Sequence, residues 1–312
     1  MTDARHGNVC TTVNRPNLIL GVVAKYDLPP LLPFLNSLAR TGFRGETHLF
    51  CARMKEETLD SLRSRGVHVH PFRFRSEGIC NSWARFWPWL RPLRSQLLLR
   101  EVADLFVLRF ILYREFLKAH GRRHANVLLT DVRDVAFQCD PFSESHAAGV
   151  DVFAEDARRT NGSCPLNSRW LRDGYGAGAL ARVGAKPILC AGTLMGTTRE
   201  LDAFLRALLH LIARGRQTAC VEQSAMNLLV HTRNPPCTRV WANGSGPVFN
   251  LRGLADGDLT MNARGEFVRP DGSAHPILHE YDRVASVRKR IETMFGGPAA
   301  TGSPVKTPCR LP

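Results

Sequence analysis

Between residues 18 and 72 short apolar runs alternate with amphipathic segments, and no other feature restricts the fold as much. Leu18–Ala24 (LILGVVA) is continuous enough for a strand buried on both faces. Pro29 and Pro30 punctuate it, and residues 31–40 carry apolar positions at helical spacing. Residues 47–51 (THLFC) read as the next strand, 55–65 as a charged amphipathic helix and 67–72 as a third strand. Strand and helix in strict alternation imply an α/β chain with a mostly parallel sheet and helices on its faces. In such open sheets ligands bind outside the carboxyl ends of the strands.

The chain places acidic residues at one such end. In segment 126–142 (NVLLTDVRDVAFQCDPF) the apolar run Val127, Leu128 and Leu129 stops at Thr130, and Asp131 and Asp134 follow, three residues apart. Hard carboxylate oxygens at a strand end suit Mg²⁺ or Mn²⁺, ions that partner phosphate-bearing substrates. The spacing alone also fits a structural pair, with Asp131 capping a turn and Asp134 bound to Arg133 or another arginine. It does not fit the phosphatases that need two aspartates separated by a single residue, because two residues intervene, the first being Val132.

Further along, a helix is expected over residues 97–119, with Arg109 and Tyr113 one turn apart. An arginine there can fork onto a diphosphate or simply sit on a solvated face. Residues 151–154 read as a strand, followed by a polar, glycine-rich stretch to Gly184. A short strand over 187–190 leads into CAGTLMG, where Gly192 and Gly196 permit close backbone approach to a ligand or form a turn. Leu201, Phe204, Leu205, Leu208, Leu209 and Ile212 make a helical stripe. A helix over 222–231 opens with Glu222 and Gln223 and carries Asn227 one turn beyond Gln223. Residues 243–276 are rich in turn formers. His279 follows the apolar Pro276, Ile277 and Leu278, where a neutral imidazole could complete a metal site or serve the core. A basic helix is expected over 287–295.

The 312 residues carry a formal charge of +14. That excess suits nucleic acid, an anionic membrane surface or an anionic small substrate. No basic arm or nucleic-acid reading module accompanies it, so nucleic acid is not the expected partner. Trp83, Trp87 and Trp89 interleaved with Arg85, Arg91 and Arg94 suggest a peripheral contact with anionic lipid, or a packed cover over the sheet. The nine cysteines are odd in number, scattered and without a CxxC pair, as expected of reduced thiols. The polar residues 1–16 lack an apolar signal segment. A cytoplasmic location is expected, with residues 296–312 as a disordered tail.

Taken in order, RFILY (109–113), LLTDVRDVAFQ (128–138), CAGTLMGT (190–197), EQSAMN (222–227) and ILHEYDR (277–283) resemble nucleotide-sugar glycosyltransferases of the GT-A fold. The likeness is strongest to members with a DxxD variant of the usual DxD motif, and it runs over roughly residues 16–285. It implies a Rossmann-type catalytic domain over 17–295, with a nucleotide-binding half (17–142) and a more antiparallel, loop-rich acceptor half (143–295). It further implies that Asp131, Asp134 and His279 hold Mn²⁺ or Mg²⁺ against the donor diphosphate. By the same resemblance Arg109, Tyr113, Asp131, Arg133, Gly192 and Asn227 contact a UDP- or GDP-sugar, and Glu222 or Gln223 lies near the reacting carbon. The acceptor, whether glycan, lipid or protein, stays open. The chain departs from the pattern at Cys190, where many relatives have Asn, and at Glu222, where many have the shorter Asp.

Overall fold

A computed structural model describes residues 15–74, 103–144, 148–216 and 220–297. The Trp–Arg segment from Trp83 to Arg94 and nearly all of the expected lead-in and tail lie outside the described residues. The first strands, β1 (Leu18–Ala24), β2 (Glu46–Ala52) and β3 (His68–Pro71), alternate with α1 (Leu32–Arg40) and α2 (Glu56–Ser64) as expected. Next come α3 (Leu105–His120), β4 (Asn126–Thr130), β5 (Val135–Phe137) and β6 (Val150–Ala154). Helices α4 (Pro165–Tyr175) and α5 (Ala177–Val183) precede β7 (Leu189–Thr197), α6 (Thr198–Arg214) and α7 (Val221–Arg233). The chain closes with β8 (Thr238–Trp241), β9 (Val248–Asn250), β10 (Ile277–His279) and α8 (Ala285–Phe295).

A seven-stranded sheet in the order β3-β2-β1-β4-β7-β6-β8 forms the centre. Only β7 runs against its neighbours, β4 and β6; the other pairs are parallel. The α/β class and the mostly parallel sheet are thus as the alternation implied. A small sheet, β5-β10-β9, stands beside it and brings the end of β10 next to the end of β4.

Both faces of the large sheet are covered. Along β1, Leu18 and Leu20 point into a layer with α3, α6 and α7, whereas Ile19 and Val23 pack under α1 and α2. Period-two alternation with apolar residues on both sides is why this strand reads as an unbroken run. The α6 stripe is buried throughout. Each such leucine or isoleucine contributes about 1.5–3 kcal/mol by leaving water. A separate cluster joins Val287, Ile291 and Phe295 of α8 to Ala136 and Leu278 of the small sheet.

Several elements differ from the sequence expectation. Of the helix expected over 97–119, residues 97–102 lie outside the described residues; α3 itself starts at Leu105, because Asp104 is extended and its carboxylate caps the Val107 N–H at 3.0 Å. The stretch before Gly184 contains two helices, α4 opened by Pro165 and α5, held through Leu171, Ala179 and Val183. The segment after Cys190 is not a loop. It continues as β7, with Leu194 and Met195 fully buried between β4 and β6. Gly196 serves the sheet there: a Cβ would lie 2.4 Å from the Gly149 carbonyl oxygen. The turn-rich stretch also supplies β9. Among the described residues no helix is long and apolar enough to cross a membrane.

Candidate metal centre and cleft

Strand β4 ends at Thr130 and the chain turns through Asp131-Val132-Arg133-Asp134 into β5. Val132 is buried in the α1 and α2 layer, which turns both flanking carboxylates toward a cleft of about 480 Å³ at the carboxyl edge of the sheet. The Asp131 N–H is fixed by the Gly192 carbonyl of β7 at 2.8 Å. One carboxylate oxygen of Asp131, Oδ1, is bound to the Arg109 guanidinium. The other, Oδ2, lies 3.6 Å from His279 Nε2. Asp131, Asp134 and His279 each offer one ligand atom, and these atoms lie within 4.8 Å of one another.

His279 sits at the end of β10 and is almost wholly buried. Its Nδ1 lies 2.7 Å from Asn250 Oδ1, while Asn250 Nδ2 donates to the Ala154 carbonyl at 2.8 Å. That second bond orients the amide and leaves its oxygen facing the ring. The neutral imidazole therefore carries its hydrogen on Nδ1 and presents a lone pair at Nε2, which has no hydrogen-bond partner. Gly192 makes room for it: a Cβ there would lie 2.6 Å from both Nε2 and Asp131 Oδ2. An orphaned, tautomer-fixed nitrogen beside two carboxylates, in a space that a methyl group would fill, fits a divalent cation.

Charge in the cleft is finely divided. Burial alone would raise Asp131, but Arg109 and then His279 outweigh it and hold this carboxyl below the usual range. Burial pushes Asp134 up to about 6, opposed by His279. Burial works against a charged His279, yet Cys190, Asp131 and Glu280 hold its pKa well above the ordinary imidazole value. A cation at Nε2 must therefore displace a proton. Arg109 is buried, donates to the Ala191 carbonyl at 3.1 Å and packs over Phe110 at 4.8 Å.

Helix α7 brings Glu222 and Gln223 to the same cleft. Glu222 is 3 % exposed, its Oε2 has no hydrogen-bond partner, and burial lifts it to about 7. Gln223 accepts from the Ala191 N–H at 2.8 Å and donates to Glu155 at 3.1 Å, which ties α7 to β7 and β6. Arg133 also lines the cleft, bound to Asp282 at 2.8 Å and to Asp134 at 3.3 Å.

Two sequence candidates stand away from this wall. Tyr113 is buried beneath β4 with its hydroxyl 3.4 Å from the Thr130 carbonyl. Asn227 is fully buried and holds both the N–H and the carbonyl of Leu189, at 2.9 and 3.0 Å. Neither lines the cleft. Conversely, Glu155, Glu280 and Asn250 escaped the sequence reading. Glu155 lines the cleft and burial raises it to about 7. It follows β6 just as Asp131 follows β4, so the rule applied to one strand end would have found the other. Glu280, left-handed at φ 55°, is paired with Arg252 at 2.9 Å. Compared with protein-family profiles and with curated protein sequences, the chain matches none.

Proposed function

We propose that the chain transfers a sugar from a nucleotide-diphosphate donor to an acceptor hydroxyl, with Mn²⁺ or Mg²⁺ held by Asp131, Asp134 and His279. The observation that carries this reading is the convergence of those three side chains with Arg109 and a buried Glu222, whose Oε2 has no hydrogen-bond partner, in one cleft. The order of motifs resembling GT-A glycosyltransferases gives the cleft its substrate class, and the mixed α/β sheet with its ligand edge is compatible with it. When bound, the ion supplies neutralisation of charge on the leaving diphosphate.

The protein's own groups do the rest. Arg109 fixes Asp131 from behind and adds positive charge beside the departing group. Gln223 positions Glu155 and the Ala191 backbone. In an inverting transfer, Glu222 takes the acceptor hydroxyl proton as the new C–O bond forms, a role suited to a carboxylate tuned near neutrality. The test is a panel of UDP- and GDP-sugars incubated with the untagged chain and Mn²⁺, scored for nucleotide release and sugar transfer. RNA binding is measured in parallel. Release from one donor class, lost on chelation, is expected. No donor bound or cleaved, with tight RNA binding instead, sinks the reading.

A further inference from the structure

At the opposite end of the large sheet from the cleft, a second group of ligand atoms converges. Glu46 opens β2, His48 follows two residues on, and His124 precedes β4 after the α3 connection. Glu46 Oε2 lies 2.9 Å from His124 Nε2 and 3.0 Å from His48 Nε2. All three ligand atoms lie within 4.8 Å of one another. We propose that Glu46, His48 and His124 form a second divalent-cation site, for Zn²⁺ or another ion of that borderline class, clamping β2 to the α3–β4 connection.

The His48 ring is oriented before any ion arrives, whereas His124 Nδ1 has no hydrogen-bond partner. His48 stacks on His68 at 4.3 Å and meets the edge of Phe116 at 4.8 Å. Its Nδ1 lies 2.9 Å from His70 Nε2. With Nε2 given to a metal, His48 carries its hydrogen on Nδ1 and His70 accepts it, the outer-sphere support that metal-binding histidines use. His124 is buried, with only 2 % of its side chain exposed, whereas Glu46 keeps 41 %. The carboxylate side thus gives an ion an entry path and room for a water as fourth ligand.

Spacing and donor type fit the same class. Four ligands about 2.0–2.1 Å from Zn²⁺ stand roughly 3.3 Å apart. The two contacts to Glu46 need to open by only a few tenths of an ångström. Two imidazoles and one carboxylate favour Zn²⁺ and its neighbours over Mg²⁺, in contrast to the oxygen-rich cleft.

The experiment is a Co²⁺ titration of the untagged full chain, read by visible absorption, followed by Zn²⁺ competition and thermal unfolding. An Asp131→Asn/His279→Gln protein, which keeps only Asp134 of the three cleft donors, should still take up one equivalent of Co²⁺ with four-coordinate bands that Zn²⁺ abolishes. Zn²⁺ should also raise its unfolding temperature. Adding His124→Gln should remove that equivalent, and adding Glu46→Gln should weaken it by at least about tenfold. An Asp131→Asn/His279→Gln protein that binds no Co²⁺ overturns the proposal, as does one whose affinity His124→Gln leaves unchanged. If His124→Gln does not fold, Glu46→Gln decides, and undiminished affinity there overturns the site. Loss of this site leaves the cleft donors untouched, so the result is independent of the sugar-transfer reading.

Discussion

His279 stands so close to Gly192 that a β-carbon at residue 192 would lie 2.4 Å from its Cε1. The glycine is thus the space that the imidazole and the Asp131 carboxylate share. Gly192→Ala should force those two groups apart, at a cost of about 1–3 kcal/mol from overpacking. Mn²⁺ affinity and transfer should both fall, by on the order of 10²-fold for the rate. Calorimetric titration with Mn²⁺ beside a donor-cleavage assay measures both. An alanine variant with undiminished Mn²⁺ affinity would remove residue 192 from the site.

Asn250 acts one step behind the ligand. Its oxygen fixes the hydrogen of His279 on Nδ1, and its own amide is fixed by the Ala154 carbonyl. Asn250→Ala should leave the fold in place yet lower metal affinity about 10–100-fold, because the ring loses its orientation and tautomer. Asn250→Asp keeps the acceptor for Nδ1 but loses the donor to the Ala154 carbonyl, and should restore the affinity only in part. Equal affinity in the wild type and both variants would show that the bond has no bearing on the ligand.

Asp134 is separable from the fold in the same way. Its carboxyl is pushed to about 6 by burial, and Arg133 keeps Asp282 at 2.8 Å without it. Asp134→Ala should therefore unfold at or near the wild-type temperature while losing on the order of 10²–10³ in rate. An active, metal-independent Asp134→Ala protein would sink the metal assignment.

These residues also mark where sequence and structure part. The run Leu18–Ala24 and the stripe on α6 were legible because the buried face repeats at the period of the element. Strand β7 was not, since Gly192 and Gly196 read as a turn until β4, β6 and His279 are seen to press on them. Asp131, Asp134, Glu222 and His279 were found as types in order, but their convergence depends on the small sheet carrying β10 to β4. Asn250 gave no signal at all, since an asparagine in a turn-rich stretch has many ordinary roles. Gln223 and Asn227 share a helix face, yet one lines the cleft and the other is sealed beneath it. Periodicity places a face and says nothing of how far along it the cleft extends.

That last contrast is testable. Asn227 closes four hydrogen bonds in a fully buried place, two with Leu189, one with Asn161 and one with the Gln223 carbonyl. Asn227→Ala strands the Leu189 N–H and carbonyl, and should cost about 2–4 kcal/mol in urea unfolding. The folded variant should keep the wild-type KM for its donor. A raised KM with unchanged stability would return Asn227 to the binding site.

Glu222 gives the clearest pH dependence. Burial lifts its carboxyl from an ordinary value of 4.5 to about 7, with Arg109 pulling the other way. Between those values the folded protein holds a proton that the unfolded chain has released, so stability falls as pH rises through this window. The contribution is fully present below about 4.5, lost by about pH 7 and level above it, and amounts to roughly 3 kcal/mol at most. Glu222→Gln lacks this titration. Its stability relative to the wild type should climb from pH 4.5 to 7 and then hold constant, whatever fixed offset the amide brings. In the transfer reaction the wild-type rate should rise through about pH 7 as the carboxylate forms, and Glu222→Gln should lose on the order of 10²-fold. Parallel stability curves for the two proteins across pH 4.5–7 would place Glu222 at an ordinary carboxyl value and remove it as the base.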